Sequence, residues 1–217
     1  MPDASILLRE GLAGLSVPDP QRAASLLEAF MDELERWNPR FALVRYATRD
    51  ELVVKHVLDS LAAWQAVRDA VPGGASTAVD VGSGAGLPGI PLAVALPDVS
   101  FTLVERMARR CSFLSTCALL LRLSNVTVLQ ADFKDVPGSF DVVTFRALAP
   151  LDRFLSEAAR CGPSWRALVA YKGRKERAEE ELERAREVLE PGSRACISPV
   201  RVPFLDEERA LLTVSRP

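Results

Sequence analysis

The stretch Val79-Asp80-Val81-Gly82-Ser83-Gly84-Ala85-Gly86-Leu87-Pro88-Gly89-Ile90-Pro91-Leu92-Ala93 decides the fold. Ala78, Val79 and Val81 form a short apolar, β-branched run that predicts a buried strand, and Ile90, Leu92, Ala93, Val94 and Leu96 predict the helix that follows. Glycines at alternate positions separate the two. Lacking a Cβ, they accept positive φ and let a ligand lie close to the backbone. This order of strand, glycine turn and helix predicts a ligand site over the turn, with free N–H groups at the helix start adding a partly positive surface.

A dinucleotide fingerprint would need glycine at position 87. Leu87 stands there and the glycines run G-x-G-x-G, a poor pyrophosphate cradle, which disfavours a dehydrogenase. The next predicted strand, Phe101-Thr102-Leu103-Val104-Glu105, ends in a carboxylate able to accept both hydroxyls of a ribose. Asp80, the alternate glycines and Glu105 together resemble the S-adenosylmethionine (AdoMet) site of Rossmann-like methyltransferases. The loop Gln130-Ala131-Asp132-Phe133-Lys134-Asp135 follows a third strand, Val126 to Leu129, where the adenine would lie. There Asp132 would accept from the adenine amine, and Phe133 would pack on the ring with its N–H on a ring nitrogen. By itself the loop reads equally well as a polar turn with one apolar anchor.

From Ser76 onward strands alternate with helices. A helix is predicted from Arg106 to Leu123, a strand from Phe140 to Thr144, a helix from Leu151 to about Cys161 and a strand from Ala167 to Tyr171. A strongly charged helix, Glu176 to Glu190, follows, and then two runs expected as sheet-edge strands, Ala195 to Val202 and Ala210 to Val214. The expected fold class is therefore α/β, with a mostly parallel seven-stranded sheet, right-handed crossovers and helices on both faces. Upstream, Asp19-Pro20 caps a helix striped with Leu26, Leu27, Phe30, Met31, Leu34 and Trp37, expected to end at Trp37-Asn38-Pro39-Arg40. A second helix starts at Thr48, which forms a capping box with Glu51, and carries Val54, Val57, Leu58, Leu61 and Trp64. Residues 1–70 thus read as a helical extension packed on the core, and residues 71–217 as the AdoMet-dependent methyltransferase domain.

The 217 residues are 48% hydrophobic and 26% charged, a globular composition, and the net charge of −2 does not mark a nucleic-acid binder. A basic face must then be local. Cys111, Cys117, Cys161 and Cys196 lack metal-ligand spacing, so they read as reduced thiols and no metal is expected. Neither a basic region before an apolar core nor a membrane-length apolar run is present, so the expectation is a soluble cytoplasmic protein. His56, the only histidine, reads as a packed or capped residue rather than a general base, and Asp59 and Ser60 beside it as a wall of the site if their helix packs near the glycine turn.

The strand Phe140 to Arg146 ends where methyl donor and substrate should meet. Thr-Phe-Arg-Ala-Leu stands there in place of the Asn/Asp-Pro-Pro-aromatic segment of exocyclic-amine methyltransferases, and no Pro-Cys nucleophile occurs. Val-Gly-Ser-Gly-Ala-Gly-Leu-Pro-Gly-Ile-Pro-Leu resembles the signature of the bacterial small-subunit ribosomal RNA methyltransferase G family, also called glucose-inhibited division protein B. Trp37-Asn38, His56-Val57-Leu58-Asp59-Ser60, Arg146-Ala147 and Lys172-Gly173 match the same family in order. The resemblance implies AdoMet-dependent methylation of guanine N7 in 16S rRNA near the decoding region. It implies cofactor contacts at Gly82, Leu87, Phe133, Lys134 and Arg146, beside the Gly84, Glu105 and Asp132 singled out above, and a role in RNA contact or catalysis for Arg146 and Lys172. The chain departs from the family at Ala42-Leu43-Val44, where Asn-Leu-Thr is usual, and at Asp132, where arginine is common.

Guanine N7 carries an in-plane lone pair, so no catalytic base is required and no catalytic residue is assigned. The task is alignment for in-line displacement, worth roughly 7–11 kcal/mol. Arg146 and Lys172 then serve phosphate or O6 contact and orientation, and Arg40, Arg45, Arg106, Arg109, Arg110, Arg174 and Lys175 are candidates for a basic rim, several of which must simply be solvated. The expected partner is 16S rRNA or the small ribosomal subunit, bound by a monomer, with no DNA and no membrane. Two alternatives stand beside this reading. A methyltransferase for a small molecule or protein predicts an enclosed apolar pocket near Arg146, and a noncatalytic ribosome-assembly module predicts RNA affinity independent of AdoMet.

Overall fold

The computed structural model describes residues 3–73 and 75–217. Seven strands form one sheet in the order β3-β2-β1-β4-β5-β7-β6. They are β1 (Ser76–Val81), β2 (Val99–Glu105), β3 (Val126–Gln130), β4 (Ser139–Arg146), β5 (Ser164–Lys172), β6 (Arg194–Val200) and β7 (Arg209–Ser215). Neighbours among β1 to β5 pair in parallel, and β7 runs antiparallel between β5 and β6. The alternation of β1 divides its side chains between two cores. Ala78 joins the core that holds the N-terminal helices, while Val79 and Val81 join the core under the helices Leu151–Arg160 and Lys175–Ala185. Burial on both faces explains why the strand reads as a near-continuous apolar run.

From β1 the chain proceeds outward through β2 and β3, then returns to β1's other side as β4. That reversal opens a crevice beyond the carboxyl ends of the strands, the place where open α/β sheets bind ligands. Gly82 follows β1 there and Arg146 ends β4. The expected pair of edge strands is half corrected. Of the two, β6 is an edge, whereas β7, with Ala210, Leu211, Leu212 and Val214 buried, fills the sheet between its two neighbours.

The helices are α1 (Ala4–Gly14), α2 (Pro20–Phe41), α3 (Arg49–Leu52), α4 (Asp59–Leu61), α5 (Trp64–Ala70), α6 (Gly89–Ala95), α7 (Ala108–Leu120), α8 (Leu151–Arg160) and α9 (Lys175–Ala185). The sequence reading placed nothing on α1, whose Leu8 and Leu12 are fully buried. It also stopped α2 too early. The helix runs through Pro39 to Phe41, because the missing proline N–H costs one bond in the last turn while Trp37 packs on Phe41 and Phe113, with ring centroids 5.2 and 5.7 Å apart. The Asn38 side chain then receives the chain, accepting from Val44 N–H at 3.0 Å and donating to Val44 C=O at 2.9 Å.

The single helix expected from Thr48 is broken up. Its capping signals hold, since Thr48 Oγ1 accepts from Glu51 N–H at 3.2 Å and Glu51 Oε2 from Ala47 N–H at 2.6 Å. A π-helical segment, Val53–Leu58, then separates α3 from α4. Its wider turn puts Val53 rather than Val54 in the core and turns Lys55, His56 and Asp59 toward the carboxyl end of the sheet. Two other helices are shorter than predicted. α7 begins at Ala108 because Met107 N–H is taken by Glu105 Oε1 at 2.9 Å, and α9 passes into a 3-10 turn at Arg186–Val188. Among the described residues no helix is long and apolar enough to cross a membrane, and no cluster of three metal-ligating side chains occurs.

Candidate active site

The glycine turn is held from below. Gly82 and Ser83 donate their N–H groups to Val104 C=O at 2.9 and 3.0 Å, which fastens the turn to β2. Gly82 has φ +70°, and a Cβ built there would lie 2.7 Å from Leu148 Cδ1, so the missing side chain leaves room for the loop after β4 to close over the turn. Asp80 lies beneath, 1% exposed, with Oδ2 accepting Gly89 N–H at 3.2 Å and Oδ1 buried without a partner. Burial pushes its carboxyl up to about 7 against the pull of its hydrogen bonds. The expectation of free N–H groups at the start of α6 is corrected here. Gly89 N–H points inward to Asp80, Ile90 N–H bonds Gly86 C=O, and the whole helix is buried.

Beside the turn lies a cleft of about 680 Å³. Of the expected cofactor residues, Gly82, Glu105, Asp132, Phe133, Lys134 and Arg146 line it. Glu105 is 5% exposed, with Oε2 accepting Gly84 N–H at 3.1 Å and Oε1 accepting Met107 N–H at 2.9 Å. One backbone donor per oxygen fixes the carboxylate, and Arg110 Nη1 lies 3.5 Å from Oε2; a carboxylate has about four acceptor positions, enough for these donors and a ribose hydroxyl. Phe133 packs on Phe154 with centroids 5.4 Å apart and forms an aromatic wall. Asp132 caps the turn at Lys134 N–H and pairs with Arg106 at 3.6 Å. An anchored acid, an aromatic wall and a turn free of side chains fit a nucleoside-bearing ligand such as AdoMet. Two residues sit elsewhere. Gly84 reaches the cleft only through Glu105, and Leu87 is 7% exposed and packed in the core, away from the cleft lining.

A second, larger cleft of about 1540 Å³ lies on the far side of the segment Arg146–Pro150, which lines both. Here the structure brings together Arg146, Lys172, His56 and Asp59. It adds Arg209, which sequence reasoning missed. Lys172 pairs in register with Ala210 across the antiparallel β5·β7 ladder, so the residue before Ala210 arrives beside Lys172 from far along the chain. No local motif announces it.

The charges in this cleft are paired with care. Asp59, 7% exposed, accepts from Arg146 Nη1 at 3.0 Å through Oδ2 and from Arg209 Nε at 2.8 Å through Oδ1. Lys172 Nζ donates to Glu181 Oε2 at 2.5 Å, and the same oxygen accepts Leu151 N–H at 3.1 Å, at the start of α8. Tyr171 donates its hydroxyl to Ser60 C=O, which pins α4 to β5. His56 Nε2 donates to Arg45 C=O at 2.9 Å, leaving Nδ1 buried and unpartnered, and burial with the nearby Arg146 charge lowers the imidazole pKa. It is a packed residue, as expected. Part of the candidate basic rim lines the clefts and part does not, as expected of a set in which several members are simply solvated. Arg106 and Arg110 face the smaller cleft and Arg174 the larger, while Arg40 lies over the Phe41 ring and Lys175 pairs with Glu179.

Comparison with solved structures finds methyltransferase folds. The chain superimposes on the METTL16 MTase domain with a TM-score of 0.62, covering 89% of this chain and 80% of that one at 14% identity. A SAM-dependent methyltransferase from Aquifex aeolicus gives a TM-score of 0.51 over 70% and 88% of the two chains at 17% identity. Sequence relatives are much nearer. The ribosomal RNA small subunit methyltransferase G of Treponema pallidum (strain Nichols) is 38% identical over all of this chain and 96% of its own length, and that of Cupriavidus pinatubonensis is 34% identical over 96% and 92%. Residues 23–209 match the family described as rRNA small subunit methyltransferase G (GidB). With a methyltransferase sheet, a cleft suited to AdoMet and this continuous match, the chain belongs to the rRNA small subunit methyltransferase G family of AdoMet-dependent enzymes.

Proposed function

We propose that this enzyme methylates N7 of one guanine in 16S rRNA, near the decoding region, with AdoMet in the smaller cleft and the RNA in the larger. The observation that carries the reading is the shared wall, Arg146–Pro150, which sets the two clefts back to back at the end of β4. AdoMet supplies an electrophilic methyl group on a sulfonium sulfur. Glu105 would hold the ribose, Phe133 the adenine face, and Gly82 the space for the methionine portion.

On the other side Arg146, Lys172 and Arg209 offer a cationic surface for phosphate or guanine O6. N7 already has its lone pair and asks for no base, which suits a wall where both Asp59 oxygens are bound to arginines, Tyr171 donates to Ser60, and Glu181 is held by Lys172. A large cleft lined with charged side chains also argues against the enclosed apolar pocket of a small-molecule enzyme. The partner is 16S rRNA or the small subunit, met by a cytoplasmic monomer without DNA or membrane.

The test is to incubate the enzyme and AdoMet with 16S rRNA and with small subunits lacking the modification, then cleave chemically at N7-methylguanosine. Strand scission at a single guanine supports the proposal. Incorporated methyl that leaves the RNA resistant to cleavage would move the acceptor to another atom.

A further inference from the structure

Six lysine and arginine side chains line the larger cleft, and two of them, Arg146 at the end of β4 and Arg209 at the start of β7, meet on one carboxylate from the N-terminal helices. We infer that Asp59 is a positioning residue for methyl transfer, holding the Arg146 guanidinium at the wall between the two clefts. The inference rests on reading that wall as the meeting place of methyl donor and base, and it does not depend on which guanine atom is methylated.

The geometry is specific. Each Asp59 oxygen takes one arginine, at 3.0 and 2.8 Å, so the carboxylate cannot turn toward one partner without releasing the other. Arg209 is fixed from behind as well, through Glu207 Oε2 at 3.0 Å and Glu208 C=O at 2.9 Å, so it acts as a stop against which Asp59 orients Arg146. Arg146 has no comparable second anchor. Its other hydrogen bond, to Lys55 C=O, is 3.5 Å long. Asp59 itself is set by its neighbours. The π-helical segment ends one residue before it, and Tyr171 grips Ser60 one residue after it. The N-terminal helices therefore supply a part of the site rather than only cover the core.

Asp59 touches neither cleft's reacting centre in this account, so its removal should be felt as misplacement of Arg146. The experiment measures kcat for transfer of labelled methyl to unmethylated small subunits, AdoMet Kd by calorimetry, and Tm for Asp59→Asn and Asp59→Glu, alone and combined with Arg146→Lys. Asp59→Glu keeps the negative charge and hence the pairing that folding needs, so it decides the matter if Asp59→Asn does not fold. Displacing a positioned group by about 1 Å can cost on the order of a hundredfold, and we expect kcat to fall at least about tenfold in both single variants while AdoMet Kd changes less than about threefold. In the Arg146→Lys background the further loss from either change should be less than about twofold, since residues acting as a unit are not additive. Single variants with kcat within twofold of the parent, or a full additional loss on top of Arg146→Lys, would overturn the inference. A parent enzyme that transfers no methyl would instead overturn the functional reading.

Discussion

The two clefts are built in opposite ways. The smaller one comes from local sequence. Gly82 follows β1, Glu105 ends β2, and Phe133 lies just past β3, each at a strand terminus that the parallel sheet brings to one edge. The larger one is assembled from the π-helical segment, the ends of β4 and β5, the start of α9 and the turn before β7, segments up to about 150 residues apart, as the Asp59–Arg209 pair shows. A cofactor site can be carried by a local strand-turn-strand pattern, whereas a cleft made by long-range pairing leaves no such mark in the sequence.

Glu105→Ala should give the largest effect. It removes a buried carboxylate that holds two backbone donors, and hydrogen bonds to a charged group are each worth about 1.5–3 kcal/mol, so AdoMet affinity should fall about a hundredfold or more by calorimetry. RNA affinity should be unchanged. Next, Lys172→Ala should cut methyl transfer about tenfold or more and weaken RNA binding, with AdoMet affinity intact, because it strips a charge from the larger cleft and leaves Glu181 without its cation. Equal loss of both ligands in either variant would break the division.

Asp80 offers a test beneath the glycine turn. Its folded pKa, about 7, lies above the ordinary 3.8, so the folded state binds the extra proton between those values and stability falls as pH rises from about 4 to 7. Asp80→Asn should flatten that fall, and its Tm advantage over the parent should grow from pH 5 to pH 8. The His56 shift runs the other way and cancels in this difference.

The smallest effect belongs to Ala42, which closes α2 at φ +46°, a left-handed conformation that asparagine or glycine tolerates better than alanine. Ala42→Asn should stabilise the protein by about 1 kcal/mol and raise Tm by roughly 2–4 °C without changing kcat.

These differences also explain what the sequence made legible. The sheet and most of the smaller cleft follow from short apolar, β-branched runs and from the acid ending β2, both local signals. The π-helical segment has no residue signature, since its extra residue per turn is a response to packing, and the predicted face slipped from Val53 to Val54 as a result. Arg209 was invisible because only the insertion of β7 beside β5 brings it to Lys172. Leu87 matched the family pattern yet packs in the core, a reminder that a motif residue can shape the turn without lining the cleft. Pro39 was read as a helix stop, and the aromatic contacts of Trp37 outweighed it.

The most direct test of the division is to titrate AdoMet and unmodified 16S rRNA separately into Glu105→Ala and Lys172→Ala and compare the four dissociation constants with those of the parent. The account predicts a crossed pattern, with AdoMet binding lost only in Glu105→Ala and RNA binding weakened only in Lys172→Ala. RNA binding weakened in Glu105→Ala, or AdoMet binding lost in Lys172→Ala, would contradict it.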